Sequence, residues 1–278
     1  MSDVKRDSYG RYLLPHPDTG VEQSWTRATT IASTLSDRWA LEAWAQRNTV
    51  RGIGLRPDLY ALASSSTADD KDQLNKIVKQ AQEAAASSSS ANLGTALHQL
   101  TERIDRGEIL DVPDTWKPDI DAYLKVLADN QVKVDSIECV VVNPALTVAG
   151  TFDRIVNING ALYVADLKTG ANVITYGMSE VAIQLALYAG ASHVWQEDGS
   201  NSQMQVDGWS YEPMPNVSQS AGLVIHLPVG TGSCTLHWVD LEAGREGIEL
   251  AMRVRDWRAR STFTVQIPTH LSAVTDDW

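Results

Sequence analysis

Two aspartates and a lysine stand close together in the middle of the chain. Asp153 lies in Gly150-Thr-Phe-Asp153, and Asp166 and Lys168 lie in Asp166-Leu-Lys168-Thr-Gly170. Between them is Asn159-Gly160. Flanked by alternating apolar runs, that pair is the strongest short-range signal for a two-residue type I′ hairpin. With Asn159 and Gly160 as the loop, Ile158 pairs with Ala161, Asp153 lies opposite Asp166, and Thr151 lies opposite Lys168. Side chains alternate along a strand, so Asp166 and Lys168 share a face. Carboxylates opposed across a sheet sit about 5 Å apart at Cβ and repel. They can share a proton, be solvated at an edge, or hold a cation. A divalent metal is the natural compensation, because hard cations take carboxylate oxygens. The spacing alone leaves a solvent-facing strand with scattered charges equally open.

The elements that position these groups are legible around them. Strands are expected at about 136–143, 147–157 and 161–168, the last two rich in apolar and β-branched residues as in an interior hairpin. If Pro144-Ala145 is a tight turn, Glu138 pairs with Thr151 and points to the same face. A helix follows, capped by Ser179 and ending near Trp195. On it, Gln184 and Tyr188 are spaced i and i+4 and share a face. A glutamine in so apolar a run needs hydrogen-bond partners, either in an internal polar network or at the carboxylate site. Upstream, His98 and Glu102 share a face of a helix over roughly 92–105.

The rest of the chain reads as follows. The first 30 residues suggest irregular structure with short extended pieces. Helices are expected over 30–46, 58–63, 68–86 and 113–130, with Ser87 to Ser90 interrupting the run before the His98 helix and able to cap it. After a polar loop at 198–203, strands fit 204–211, 221–228 and 233–240, and a last helix fits 241–260. Helices first, then strands interleaved with helices, predict an α/β fold with a central mixed sheet flanked by helices. The expected division is a helical N-terminal region, 1–135, that contributes the His98 helix, and a core, 136–278, the two forming either separate units or one continuous domain.

These motifs, taken together in order, resemble the PD-(D/E)XK nuclease superfamily. Gly150-x-x-Asp153 and Asp166-x-Lys168-Thr-Gly170 are similar to its core hairpin, and Gln184-x-x-x-Tyr188 narrows the resemblance to the RecB-type exonuclease branch. Gly94-Thr-Ala-Leu-His98 is similar to the branch's upstream histidine helix. The resemblance spans residues 94 to 188 and implies a restriction-endonuclease-like core. It implies that His98, Asp153, Asp166 and the Leu167 carbonyl hold Mg²⁺ or Mn²⁺, that Lys168 acts in catalysis beside Asp153 and Asp166, and that Gln184 and Tyr188 support the site or the DNA backbone. The activity implied is a metal-dependent DNA exonuclease for recombination, repair or DNA processing, of a kind that suits a phage. A structure-specific or nicking endonuclease, and a non-catalytic DNA-binding module, are the alternatives. Single- or double-stranded DNA with a free end is the implied partner, and a homo-oligomer and a recombination partner protein stay open.

The CRISPR-associated relatives of the branch carry four cysteines for an iron–sulfur cluster. This chain has two, Cys139 and Cys234, too few for such a cluster. Cys139 is expected as a buried small hydrophobe. No phosphate-binding Gly-x-x-x-x-Gly-Lys-Ser/Thr loop is present.

Bulk properties agree with a globular chain. Of 278 residues, 43% are hydrophobic and 21% charged. The net charge of −12 argues against a broadly basic surface but not against a local basic groove. Arg253, Arg255, Arg258 and Arg260 crowd the last helix beside Trp257, as a phosphate-contacting patch or an ordinary solvated face. Nine tryptophans offer stacking surfaces for single-stranded DNA, although most are expected to pack. No apolar run is long enough to cross a bilayer, and the N-terminus lacks a signal-peptide core. A cytoplasmic location, a host's cytoplasm if phage-encoded, is the expectation.

Overall fold

The computed structural model describes residues 4–85, 90–196, 205–206 and 209–261. In chain order its elements are β1 (Tyr12–Pro15), β2 (Glu22–Arg27), α1 (Ala28–Ala32), a 3₁₀ turn (Ser33–Leu35), α2 (Trp39–Leu55), α3 (Pro57–Ser65), α4 (Lys71–Ala85), α5 (Ser90–Asp105) and α6 (Lys117–Asp129). There follow β3 (Lys133–Asn143), β4 (Val148–Ile158), β5 (Ala161–Lys168), α7 (Val173–Tyr176), α8 (Met178–Ala189), β6 (His193–Gln196), β7 (Gln205–Val206), β8 (Trp209–Pro213), β9 (Ala221–His226), β10 (Thr235–Asp240) and α9 (Leu241–Arg258).

The fold is α/β. One mixed sheet runs in the order β10-β9-β5-β4-β3-β6-β8-β7, with β2 paired to β4 and β1 to β2. Parallel pairs, β5 with β9 and β2 with β4, sit among antiparallel ones. A core containing α1, α8 and α9 side chains forms against the sheet. Another, with Leu97 of α5 and Ile120, Tyr123 and Leu127 of α6, packs on Val156, Ala165, Leu167, Leu223 and Ile225. Helices α2, α3 and α4 carry a small core of their own around Leu59, Ile77 and Ala81. Among the described residues no helix is long and apolar enough to cross a membrane.

The hairpin forms in the expected register. Ile158 pairs with Ala161, and the ladder runs to Arg154 opposite Ala165. Asn159 and Gly160 both have positive φ, 52° and 88°, as a type I′ turn requires. Beyond Arg154 the strands part. Lys168 therefore does not face Thr151: it pairs with His226 on β9, and Thr151 pairs with Val140 on β3. Along the edge of β4 that β5 leaves, β2 pairs at Val148 and Ala149. Near this gap Gly150 lets the Tyr188 ring and Ala28 come close, since an added Cβ would lie 2.5 Å from Tyr188 Cε1 and 3.0 Å from Ala28 Cβ.

Several expectations need correction. The turn between β3 and β4 is longer than Pro144-Ala145, because Asn143 pairs with Val148. Val140, not Glu138, thus faces Thr151, and the same register carries Glu138 to the level of Asp153. Helix α8 starts at Met178 behind Gly177, without a Ser179 cap, and stops at Ala189. His193 to Gln196 form β6, whose pairing with β3 and β8 overrides the helical pattern. The first residues also contribute strands β1 and β2. The strand expected at 204–211 is a short β7–β8 ladder among its described residues. Cys139 is half-buried against the α8 core. Residues 87–89, the loop at 198–203 and the tail after 261 lie outside the described residues.

Gly150→Ala is expected to destabilise the protein by about 1–3 kcal/mol, the usual cost of overpacking a filled core. Urea denaturation checks it, with a lowered midpoint at unchanged slope as the expected result.

Candidate active site

The parting of β4 and β5 creates the site. The Leu167 N–H, with no β4 carbonyl paired to it, donates to Asp153 Oδ2 at 2.9 Å. Asp153 thereby replaces the missing backbone acceptor. Asp166 is buried on β5, with its side chain 2% exposed. Its Oδ1 accepts from Gln184 Nε2 at 3.3 Å, and the same amide group donates to the Tyr188 hydroxyl at 3.1 Å. Lys168 Nζ lies 2.7 Å from Asp166 Oδ2. The ammonium is the charge-assisted partner of that buried oxygen. His98 reaches in from α5, its Nδ1 3.7 Å from Asp153 Oδ2. The structure thus brings Asp153, Asp166, Lys168, His98, Gln184 and Tyr188 together. Leu167 itself is buried in the α5–α6 core.

Helix α5 is fixed to β4 by groups that hydrophobic patterning does not single out. Arg154, fully buried, donates from Nε to Asp105 Oδ2 at 2.7 Å and from Nη2 to Thr101 Oγ1 at 2.9 Å. Thr101 Oγ1 in turn donates to the His98 carbonyl at 2.9 Å. The Tyr123 hydroxyl of α6 lies 2.9 and 2.8 Å from the two Asp105 oxygens. Breaking one side of such a buried pair costs about 3–5 kcal/mol, because the other charge is left uncompensated. At the start of α5, Gly94 lies against Thr169, where an added Cβ would fall 2.5 Å from Thr169 Oγ1. Arg154 and Gly94 together set how close His98 comes to the carboxylates.

The electrostatics follow from burial. Burial and next the neighbouring Asp153 charge, only partly offset by Lys168, raise the Asp166 pKa to about 6. Burial also raises Asp153, against the opposing pull of Lys168 and the Leu167 amide. Burial lifts Glu138 to about 8, helped by the charges of Asp153 and Glu102. Glu138 sits at a left-handed φ of 53°, an uncommon conformation for a glutamate. Burial lowers Lys168, but the Asp166 carboxylate outweighs it and keeps the amine protonated. Burial holds the His98 imidazole below its usual range, hence neutral at pH 7.

Four carboxylates, Asp153, Asp166, Glu102 and Glu138, therefore act on one another near one lysine. Asp166, buried beside Asp153 with its pKa raised, is the carboxylate whose charge a cation would compensate beyond what Lys168 supplies. Carboxylate and neutral imidazole donors suit Mg²⁺ or Mn²⁺. Among the described residues no group of three or more His, Cys, Asp or Glu side chains is arranged to hold a metal ion. Asp166 is turned to Lys168, and Asp153 to the Leu167 amide. The donor chemistry fits a divalent cation, and closing on one would require these side chains to reorient.

Sequence reasoning found His98 and Glu102 on one helix face but missed the Arg154–Asp105–Tyr123 network. An arginine beside Asp153 in an otherwise apolar strand was its one visible signal.

Glu138→Gln is expected to raise the melting temperature of metal-free protein near pH 9 and to leave it nearly unchanged at pH 5. The folded-state pKa is raised, so the native state binds this proton more tightly than the unfolded chain. Stability is therefore lost as pH rises from about 4.5 to about 8, the window set by the ordinary and folded values. Thermal unfolding in EDTA at both pH values checks this.

No protein-family model matches the chain, and no curated protein sequence matches it.

Proposed function

We propose that this chain is a divalent-metal-dependent deoxyribonuclease of the PD-(D/E)XK type, RecB-like in its motifs, that acts as a DNA exonuclease in recombination, repair or DNA processing. The observation that carries this reading is the packing of Lys168 against Asp166 on β5, beside Asp153, with Gln184 of α8 on the other Asp166 oxygen. The carboxylates of Asp153 and Asp166 and the neutral imidazole of His98 would hold Mg²⁺ or Mn²⁺, with the Leu167 carbonyl as a further donor. Such an ion polarises a phosphoryl oxygen and lowers the pKa of bound water.

The protein's own groups have distinct tasks. Lys168 stays protonated, so it donates to the phosphate or the attacking water and stabilises negative charge; it is not a general base. Gln184 fixes the Asp166 carboxylate through Oδ1, while Lys168 holds Oδ2 as long as no cation is bound. Tyr188 accepts from Gln184 and holds that amide in place. Glu138, with its raised pKa, is the carboxyl beside Asp153 that carries a proton at neutral pH. Its role is to limit the negative charge around Asp153 when no cation is present.

Asp166→Asn and Lys168→Ala are each expected to cut Mg²⁺- or Mn²⁺-dependent DNA hydrolysis at least about 10²-fold, the usual loss when a preorganised charge partner is removed. Circular dichroism should remain native. End-labelled linear DNA and closed circular DNA are the substrates: degradation of linear DNA only supports the exonuclease, and nicking of the circle favours an endonuclease. Wild-type rates in either variant would remove the assigned roles.

A further inference from the structure

Helix α2 leaves the active-site region with an unusual outward face. Its packing face is defined by Ala45, Thr49 and Gly52. Gln82 of α4 donates to the Thr49 hydroxyl at 3.1 Å and to the Ala45 carbonyl at 3.4 Å, and Gly52 lies against the Ala81 carbonyl. At helical spacing Ala40, Ala43 and Arg47 lie opposite that packing face, with Trp39 on one flank and Trp44 and Arg51 on the other. Trp39 is 74% exposed and Trp44 45% exposed, and Arg47 and Arg51 are exposed. The one acid within α2, Glu42, lies on the α4 side of the helix, lining the groove formed with Val78 and Gln82. In a chain of net charge −12, this face carries two cations, two indoles and small alanines between them.

The start of α2 is tied to the carboxylate site. Ser36 Oγ donates to Glu180 Oε2 at 2.7 Å, and the Asp37 carboxylate caps the Trp39 N–H at 2.9 Å. Glu180 lies in the first turn of α8, and its charge acts on Lys168. From Trp39 to Arg51 the helix spans about 18 Å, at about 1.5 Å per residue.

We infer that the outward face of α2 is a platform for an unpaired stretch of DNA continuous with the Asp153–Asp166–Lys168 site, with Trp39 and Trp44 stacking on bases and Arg47 and Arg51 pairing with phosphates. The inference rests on the nuclease reading above and specifies its substrate as single-stranded at this point. Exposed indole faces suit open base faces, which a duplex buries in its own stack, and the arginines suit a polyanion. The Ser36–Glu180 contact ties the start of α2 to the helix beside Lys168, so the platform begins next to the site. A second protein copy, itself strongly acidic, is the competing occupant.

The test uses full-length protein and a 5′-labelled oligothymidylate, with binding read by fluorescence anisotropy in EDTA and cleavage read separately with Mn²⁺. The double variant Trp39→Ala/Trp44→Ala should weaken binding at least about tenfold, the loss of stacking on two bases. Arg47→Gln/Arg51→Gln should flatten the dependence of log Kd on log salt by about 1.4, from about 0.7 per phosphate contact on a single strand. Unchanged melting temperatures would separate these effects from misfolding. If both variants bind like wild type while wild type cleaves DNA, the platform is overturned and the nuclease reading stands. If wild type neither binds nor cleaves, the nuclease reading itself fails, and the platform with it. A wild-type dimer that the tryptophan variant converts to monomer, with DNA affinity unchanged, would assign the face to self-association and overturn the platform.

Discussion

The burial of Asp153 and Asp166 around a single ammonium is the constraint on which the rest of this structure depends. A carboxylate taken out of water resists ionisation unless something opposite in charge is supplied. Lys168 supplies one charge, at 2.7 Å from Asp166. Glu102 adds further negative potential at Asp153 and at Glu138, and Asp153 adds to it at Glu138. The folded, metal-free protein therefore holds more acid than it can neutralise and takes up protons to compensate. A cation would relieve that deficit, and the proposed chemistry uses it to bind one.

Holding such groups in place requires unusual backbone and packing. The hairpin ladder ends at Arg154, and beyond it β2 takes the edge of β4 at Val148 and Ala149 while β5 continues beside β9. Gly150 makes room for Tyr188 at the edge that β5 leaves, and Asp153 satisfies the amide of Leu167. On the other side, the buried Arg154 anchors α5 through Asp105 and Thr101, one residue along from the aspartate that His98 approaches. Helix α8 supplies Gln184 and Tyr188, so a single apolar helix both fills the core and orients Asp166.

Much of this was legible in the residues. Asn159-Gly160 set the hairpin register correctly as far as Arg154, because a type I′ turn admits little else. The i,i+4 spacing correctly joined Gln184 to Tyr188. The parting of the strands was not legible, since the edge of β4 that β5 leaves is taken by β2, distant in sequence. The helix boundary near Trp195 was missed for a similar reason: β6 exists only because β3 and β8 flank it. The Arg154 network escaped because a lone arginine in a strand does not announce that Asp105 and Tyr123, on two other elements, will enclose it.

Calorimetric titration of Mn²⁺ into metal-free protein at pH 6, in buffers of different ionisation enthalpy, tests the central claim most directly. The account predicts saturable binding accompanied by release of protons from the buried carboxyls, with both signals lost in Asp153→Asn/Asp166→Asn. Absence of binding in the wild type, or binding that survives in the double variant, would contradict it.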